Sequence, residues 1–193
     1  METVAHTPRN GAGQPTQPTW IGINHIALVT PDLDATVRFY GHLLGLKLIA
    51  AMARRSERLG RHVMFDAGGG VLHFFESSEA RIFAPPVGHT WTPLTLPGAL
   101  QHVALQVPSK DALLTLNSTL EQAGVTVGVI GAIGPLENFL FVDPHGIMLE
   151  AVWAPMALDA LPDDVRFSDP DPSPAIVDVC TAQGDTSQTT IEE

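Results

Sequence analysis

The chain carries one segment written twice, and the second copy follows the first by 77 residues. His25 stands in the apolar run Ile-Asn-His-Ile-Ala-Leu-Val, and His102 stands in Leu-Gln-His-Val-Ala-Leu-Gln. The same offset carries His73 onto Glu150. Other matching pairs are Pro31 and Pro108, Asp34 and Asp111, Leu43 and Leu120, Asp66 and Asp143, and Gly69 and Gly146. A long period with two copies indicates a pair of related modules, each too small to bury a core alone.

Each copy has the pattern of a strand, a helix and three further strands. In the first copy the strands are predicted at residues 23–29, 46–52, 62–65 and 71–75, and the helix from about residue 31 to Gly45. In the second copy the strands are predicted at residues 100–106, 125–130, 139–142 and 147–152, and the helix at residues 109–122. Asp, Gly and Pro at residues 66–70 and 143–146 predict hairpin turns. The predicted fold class is therefore α+β, with two βαβββ modules.

The modules are predicted at residues 20–83 and 99–154, with a Pro- and Gly-rich linker at residues 84–98. Residues 1–19 have the composition of a disordered leader, and residues 155–193 form an acidic tail with nine acids and one Arg. Most of the net charge of −11 therefore lies outside the modules. No broad basic face or membrane-spanning run is evident, so we expect neither nucleic-acid nor membrane binding. The lone Cys180 excludes an internal disulfide and agrees with a cytoplasmic location.

Four residues of metal-ligand type stand among apolar neighbours on predicted strands: His25, His73, His102 and Glu150. An ionised Glu150 on a buried strand is costly unless it is paired or bound to metal, and no Lys or Arg flanks it in sequence. A single strand His is more often a hydrogen-bonded structural residue than a ligand. Residues of metal-ligand type nevertheless occur at both pairs of repeat-equivalent positions, and this coincidence favours a metal site. The weaker candidates are the other histidines, His6, His42, His62, His89 and His145.

Three stretches of the sequence resemble those of a known family. The first is Asn-His-Ile-Ala-Leu-Val from Asn24, which is followed by Asp-Leu-Asp and Phe-Tyr. The second is Leu-Leu-Gly-Leu from Leu43, and the third is Phe-Val-Asp-Pro-His-Gly-Ile-Met-Leu-Glu, which ends at Glu150. They resemble the vicinal oxygen chelate superfamily, which includes glyoxalase I, methylmalonyl-CoA epimerase, fosfomycin resistance thiol transferases, extradiol dioxygenases and bleomycin-binding proteins. The resemblance implies curled mixed sheets that pair around a cleft, with metal ligands on the first and fourth strands of each module. It assigns His25, His102 and Glu150 as metal ligands, and His73 as a fourth ligand or a base.

The resemblance leaves the reaction open. Glyoxalase-type sites use a carboxylate on both fourth strands, and His73 replaces one of them, which argues against glutathione-linked isomerisation. Extradiol sites use two His and one carboxylate, and His25, His102 and Glu150 supply this set. We therefore expect a ring-cleaving dioxygenase for a small aromatic substrate, with His73 and Glu150 catalytic and Fe(II) favoured over Mn(II), Zn(II), Ni(II) or Co(II). The alternatives are a glyoxalase- or epimerase-type isomerase or lyase, and a metal-free small-molecule binding protein.

The sequence carries weaker indications of a substrate pocket and a partner. Aromatic side chains that could line the pocket are Phe65, Phe75, Trp91 and Trp153, although such residues more often belong to the core. The cluster Arg54, Arg55, Arg58 and Arg61 either pairs with an anionic substrate or forms a solvated loop. Members of the superfamily often dimerise, so the resemblance implies a homodimer, either with swapped modules or with self-contained ones.

Overall fold

The computed structural model describes residues 22–53, 60–80, 100–162 and 172–182. The leader predicted at residues 1–19 and the linker predicted at residues 84–98 lie outside the described residues, as do Arg54, Arg55, Arg58 and Trp91. The first module contains β1 (His25–Thr30), α1 (Leu33–Val37), a π-helical segment (Arg38–Leu43), β2 (Lys47–Met52), β3 (His62–Asp66) and β4 (Val71–Glu76).

The second module repeats this order. It contains β5 (Val103–Gln106), α2 (Lys110–Gln122), β6 (Gly131–Ile133), β7 (Leu136–Val142) and β8 (Met148–Trp153). A 3₁₀ turn (Leu158–Ala160) and helix α3 (Pro174–Ala182) follow. None of the described helices is long and apolar enough to cross a membrane.

Each module forms one four-stranded mixed sheet. The strand orders are β1-β4-β3-β2 and β5-β8-β7-β6. In both sheets the first strand pairs with the fourth in parallel, and the other neighbours are antiparallel. The predicted pair of βαβββ modules is therefore confirmed.

The helices begin and end where their caps place them. The Asp32 carboxylate accepts a hydrogen bond from the Ala35 amide at the start of α1, and the Ser109 hydroxyl accepts one from the Ala112 amide at the start of α2. Gly124, just past the end of α2, has a φ of 76°. Glycine adopts this left-handed conformation without a steric cost, so it ends a helix readily.

Two strand predictions in the second module need correction. The second strand was expected at residues 125–130, but β6 occupies Gly131–Ile133, and only a single bridge from Val127 to Phe141 lies in the expected segment. Gly134, with a φ of 56°, forms the turn into β7 and fixes the register, so the pairing begins close to this turn. Strand β5 starts at Val103, which leaves His102 just before the strand.

The two modules share one apolar core. Its buried members come from both sheets and both helices: Leu28, Leu33, Phe39, Tyr40, Val63, Phe65, Leu72, Phe74, Val103, Leu113, Leu120, Phe139, Phe141, Leu149 and Ala151. Phe39 lies 6.4 Å from Phe141 of the second module, measured between ring centroids. Helix α1 packs on β3 and β4 of its own module, and α2 packs on β7 and β8, so the contact between Phe39 and Phe141 joins two layers that each module builds itself.

A buried polar contact joins the modules beside this core. The Tyr40 hydroxyl donates to Asp143 Oδ2 at 3.2 Å, and Asp143 Oδ1 accepts from the amides of His145 and Ile147. Burial, followed by the neighbouring Asp143 charge, raises the pKa of Tyr40 well above its usual value, so the phenol keeps its proton. The His145 ring also lies 3.2 Å from the backbone oxygen of Asp32.

We expect Asp143→Ala to lower the free energy of unfolding by about 2–4 kcal/mol, because it leaves three donors, two of them buried, without an acceptor. The matched control is Asp66→Ala, since Asp66 occupies the repeat-equivalent sequence position but is exposed and accepts only from the Gly68 amide among described residues. The control should cost less than about 1 kcal/mol. Urea unfolding measures both values, and equal losses would contradict the structural role of Asp143.

The Asp143 carboxyl also gives a prediction for pH. Burial raises its pKa above the ordinary value, although the hydrogen bonds from Ile147 and His145 oppose this. The native state then holds the proton more tightly than the unfolded chain, so this group's contribution to stability is lost as pH rises through the raised pKa. Wild type should lose stability relative to Asp143→Asn as pH rises above about 4, the ordinary range of an Asp carboxyl. A stability difference that is constant with pH, measured by urea unfolding, would refute this.

Candidate functional site

The first module brings two of the predicted ligands onto one sheet face. His25 begins β1, and His73 lies on β4 opposite Ala27. Since side chains alternate along a strand, His25 and His73 point to the same side as Ala27, away from the core residues Leu72 and Phe74. The two imidazole centroids are 5.8 Å apart in an edge-to-face arrangement.

The second module brings the other two predicted ligands together in a similar way. His102 Nε2 lies 2.9 Å from Glu150 Oε2, and Glu150 lies on β8 opposite Ala104 of β5. The second carboxylate oxygen, Oε1, accepts a hydrogen bond from the Asn138 amide at 2.6 Å. Both oxygens of Glu150 therefore have polar partners, and these contacts offset the free-energy cost of placing a carboxylate on a largely buried strand. The sequence did not point to Asn138 as one of these partners.

His62, one of the weaker candidates in the sequence, belongs to this group of residues. It is 5% exposed, and its Nδ1 lies 2.8 Å from His73 Nε2. Its ring stacks on Phe75 at 5.1 Å with an angle of 9° between the planes. The hairpin predicted at residues 66–70 was the available signal, because an antiparallel register brings residue 62 close to residues 73 and 75.

The electrostatics of the first module favour a neutral His73. Desolvation lowers the pKa of His73 most, and the neighbouring His62 and His25 lower it further. The imidazole is therefore neutral at neutral pH and has one ring nitrogen able to take up a proton. An uncharged His of this kind suits either metal ligation or proton abstraction.

The aromatic residues divide between the two faces of the sheets. Phe75 shares the face of His73, with ring centroids 4.0 Å apart. Phe65 is fully buried in the core, and Trp153 packs against that core on the face of β8 opposite to Glu150. The expectation that Phe65 and Trp153 line the same pocket is therefore wrong, because strand alternation turns them away from it.

Arg61 is engaged in a surface ion-pair network. Its guanidinium donates to both oxygens of Glu76, at 3.0 and 2.8 Å, and to Asp34 at 3.1 Å. These contacts hold the pKa of Glu76 below its usual value, chiefly through the hydrogen bonds from Arg61. Of the two readings of the Arg cluster, the structure supports the solvated one for Arg61.

In the part of the chain that the structure describes, the two pairs of predicted ligands do not form one centre. Among the described residues, no group of three or more His, Cys, Asp and Glu side chains is arranged to hold one metal ion. The chemistry of the donors suits a divalent metal, but each module supplies only two of them. Two described cavities of about 580 and 530 Å³ are lined by other residues, one beside α1 and one between β1 and β5.

Known proteins resemble this chain over the two modules. The family model described as the Glyoxalase/Bleomycin resistance protein/Dioxygenase superfamily matches residues 22–151. A glutathione transferase, FosA, from Serratia marcescens is 30% identical over 133 residues, which cover 66% of this chain and 77% of that protein.

Solved structures share the fold. A putative dioxygenase from Bacillus subtilis has a TM-score of 0.54 at 26% identity, covering 69% of this chain and 40% of that one. A glyoxalase/dioxygenase from Nostoc punctiforme has a TM-score of 0.55 at 19% identity, covering 77% of this chain and 100% of that one. Since the family model spans most of both βαβββ modules, the chain belongs to the glyoxalase/bleomycin resistance protein/dioxygenase superfamily, the vicinal oxygen chelate proteins that its repeated motifs resemble.

Proposed function

We propose that the chain is a divalent-metal-dependent enzyme that acts on a small-molecule substrate. His25, His102 and Glu150 are the proposed metal ligands, and His73 is the proposed base. The observation that carries the proposal is the contact of 2.9 Å between His102, directly before β5, and Glu150 on the neighbouring parallel strand β8. Their side chains are 30% and 14% exposed, so an ion and a substrate have access to them.

We infer that the site is completed by a second copy of the chain. Each chain holds His25 in one module and the pair His102 and Glu150 in the other, with no described group of three. A two-fold arrangement of first module against second module makes two equal sites from these pairs. Val29 supports such packing, because it shares the face of His25 on β1 and is 54% exposed.

The residues of the chain have separate roles in this proposal. The chemistry that a bound divalent metal supplies is Lewis-acid polarisation of neighbouring substrate oxygens. Glu150 enters the site already oriented by Asn138, and His73 takes a proton from a substrate hydroxyl. Its neutral imidazole, bordered by Phe75, suits a base that works near neutral pH.

Ring cleavage of a catechol-type substrate is our first candidate reaction, with Fe(II) as the metal. Two His and one carboxylate are a ligand set that would hold Fe(II), which would activate a catechol and dioxygen together, and both atoms of dioxygen would enter the ring-opened product. The likeness to the putative dioxygenase of Bacillus subtilis, at 26% identity, supports this choice. The strand before the Asp-Pro turn carries Leu140 and no Tyr, unlike many extradiol enzymes, which argues against it.

Thiol transfer is the second candidate reaction. The observation that favours it is the 30% identity to a glutathione transferase over 133 residues. The same three residues would hold the metal for this reaction, and the metal would supply polarisation of the electrophile that a thiolate attacks. Oxygen consumption separates the two candidates, since thiol transfer uses none.

A shared site predicts metal binding by a mixed dimer. Wild type dialysed against Mn(II) should retain about one ion per chain, whereas His25→Ala and Glu150→Gln should each retain less than about a tenth of that. The two variants are then co-expressed with different tags, neither of them polyhistidine, and purified over both. Each mixed dimer has one intact site, so about half of the wild-type metal should return.

Two outcomes of this metal analysis would contradict the proposal. A mixed dimer without metal, beside a metal-loaded wild type, means that each site lies within one chain. No metal in wild type under any loading condition overturns the enzyme proposal and leaves a small-molecule binding protein. Glu150→Gln preserves the acceptor for Asn138, so loss of metal in this variant does not reflect loss of that hydrogen bond.

Replacement of the proposed base should slow turnover without loss of metal. The Fe(II)-loaded protein with catechol is followed by oxygen uptake, and His73→Gln should lower kcat about 100-fold with unchanged metal content. His42→Gln, on the π-helical segment, is the matched control and should be unaffected. Loss of metal in His73→Gln would instead make His73 a ligand. Glutathione consumption with fosfomycin, and no oxygen uptake, would select thiol transfer.

A further inference from the structure

The third strand of each module supplies a side chain that contacts the residue at the candidate site on the fourth strand. In the first module, His62 on β3 lies 2.8 Å from the ring nitrogen of His73 on β4. In the second module, Asn138 on β7 donates to Glu150 on β8 at 2.6 Å. In the function proposed above, Asn138 only orients Glu150, and His62 has no role.

These two side chains occupy the same place in their sheets. His62 lies opposite Phe75, and Asn138 lies opposite Val152, which is the repeat equivalent of Phe75. The turn from β7 to β8 is one residue longer than the turn from β3 to β4. Equivalent positions on the two third strands are therefore 76 residues apart in sequence, whereas equivalent positions on the two fourth strands are 77 residues apart. The same contact thus occurs in both modules at one structural position.

We propose that His62 is a positioning residue that fixes the tautomer of His73: its Nδ1 accepts a hydrogen bond from the His73 Nε2–H, which leaves His73 Nδ1 without a proton. This inference rests on the proposed role of His73 as a base. Two ring nitrogens 2.8 Å apart hold one proton between them when both rings are neutral. The partner of one ring nitrogen sets the protonation of the other.

The surroundings of His62 keep this acceptor in place. The ring is 5% exposed and stacks on Phe75 at 9°, so it has little freedom to rotate away. When His73 Nδ1 takes a proton from substrate, the ring becomes an imidazolium, and its Nε2–H bond to His62 becomes charge-assisted and stronger. The proton stays on His73 Nδ1 until product formation returns it, so no further reactant is needed. His62 thus acts through His73, as the third group of a catalytic triad orients its base.

The tautomer can be read directly in the metal-free, full-length chain. Long-range proton–nitrogen correlation spectra at about pH 8 distinguish a ring protonated at Nε2 from one protonated at Nδ1. We expect His73 to be protonated at Nε2 alone. A His73 ring protonated at Nδ1 in wild type overturns the proposal without any variant.

Two substitutions of His62 test the origin of this tautomer. His62→Phe keeps the aromatic ring against Phe75 and removes the acceptor, so both tautomers of His73 should appear. His62→Asn places an amide oxygen near the position of Nδ1, so the single tautomer should be restored. A purely structural role for His62 would leave the His73 signals of folded His62→Phe unchanged, and that result overturns the proposal. If His62→Phe does not fold, the tautomer of His73 observed in wild type and in His62→Asn decides whether the proposal holds.

Turnover provides an independent readout. In metal-loaded protein, His62→Phe should lower kcat about tenfold with little change in KM, and His62→Asn should recover most of it. Equal kcat in wild type and His62→Phe overturns the proposal. The enzyme proposal fails if wild type shows no turnover. The spectra need neither metal nor substrate, so they test the assignment of His62 separately from that outcome.

Discussion

Parallel pairing of the first and fourth strand in each module decides which side chains of this protein can meet. His25 and His73 are far apart in sequence, as are His102 and Glu150, but β1 lies beside β4 and β5 beside β8. Side-chain alternation then directs these residues to one face and the apolar residues between them to the core. The chemistry of the two modules differs because one fourth strand carries an imidazole and the other a carboxylate.

Much of the fold follows from the sequence alone. The two apolar runs with His at one position, the Gly residues after the helices and the Asp-containing turns predict two βαβββ modules, and the structure confirms them. The position of β6 could not be predicted, because Gly128 and Gly131 weaken the strand pattern and the turn at Gly134 determines the pairing. Segments of this kind are governed by their partner strand and not by their own propensity.

The site was only partly predictable, for two physical reasons. The pairs formed by His25 with His73 and by His102 with Glu150 follow from the repeat, but a single sequence does not say whether one chain or two unite them. His62 is concealed because a constant offset of 77 aligns it with the core residue Phe139, whereas the sheet register makes it equivalent to Asn138. One additional turn residue is enough to separate alignment in sequence from equivalence in space.

The buried contact between Tyr40 and Asp143 joins two side chains that leave the ribosome at different times. The ribosome releases the first module before the second, so the α1 region and Tyr40 are available when the turn at Asp143 emerges. Before that contact forms, Asp143 has no phenol donor, and burying the turn is less favourable. The contact is therefore one that neither duplicate can make alone, and it ties the burial of the second module's turn to the presence of the first module.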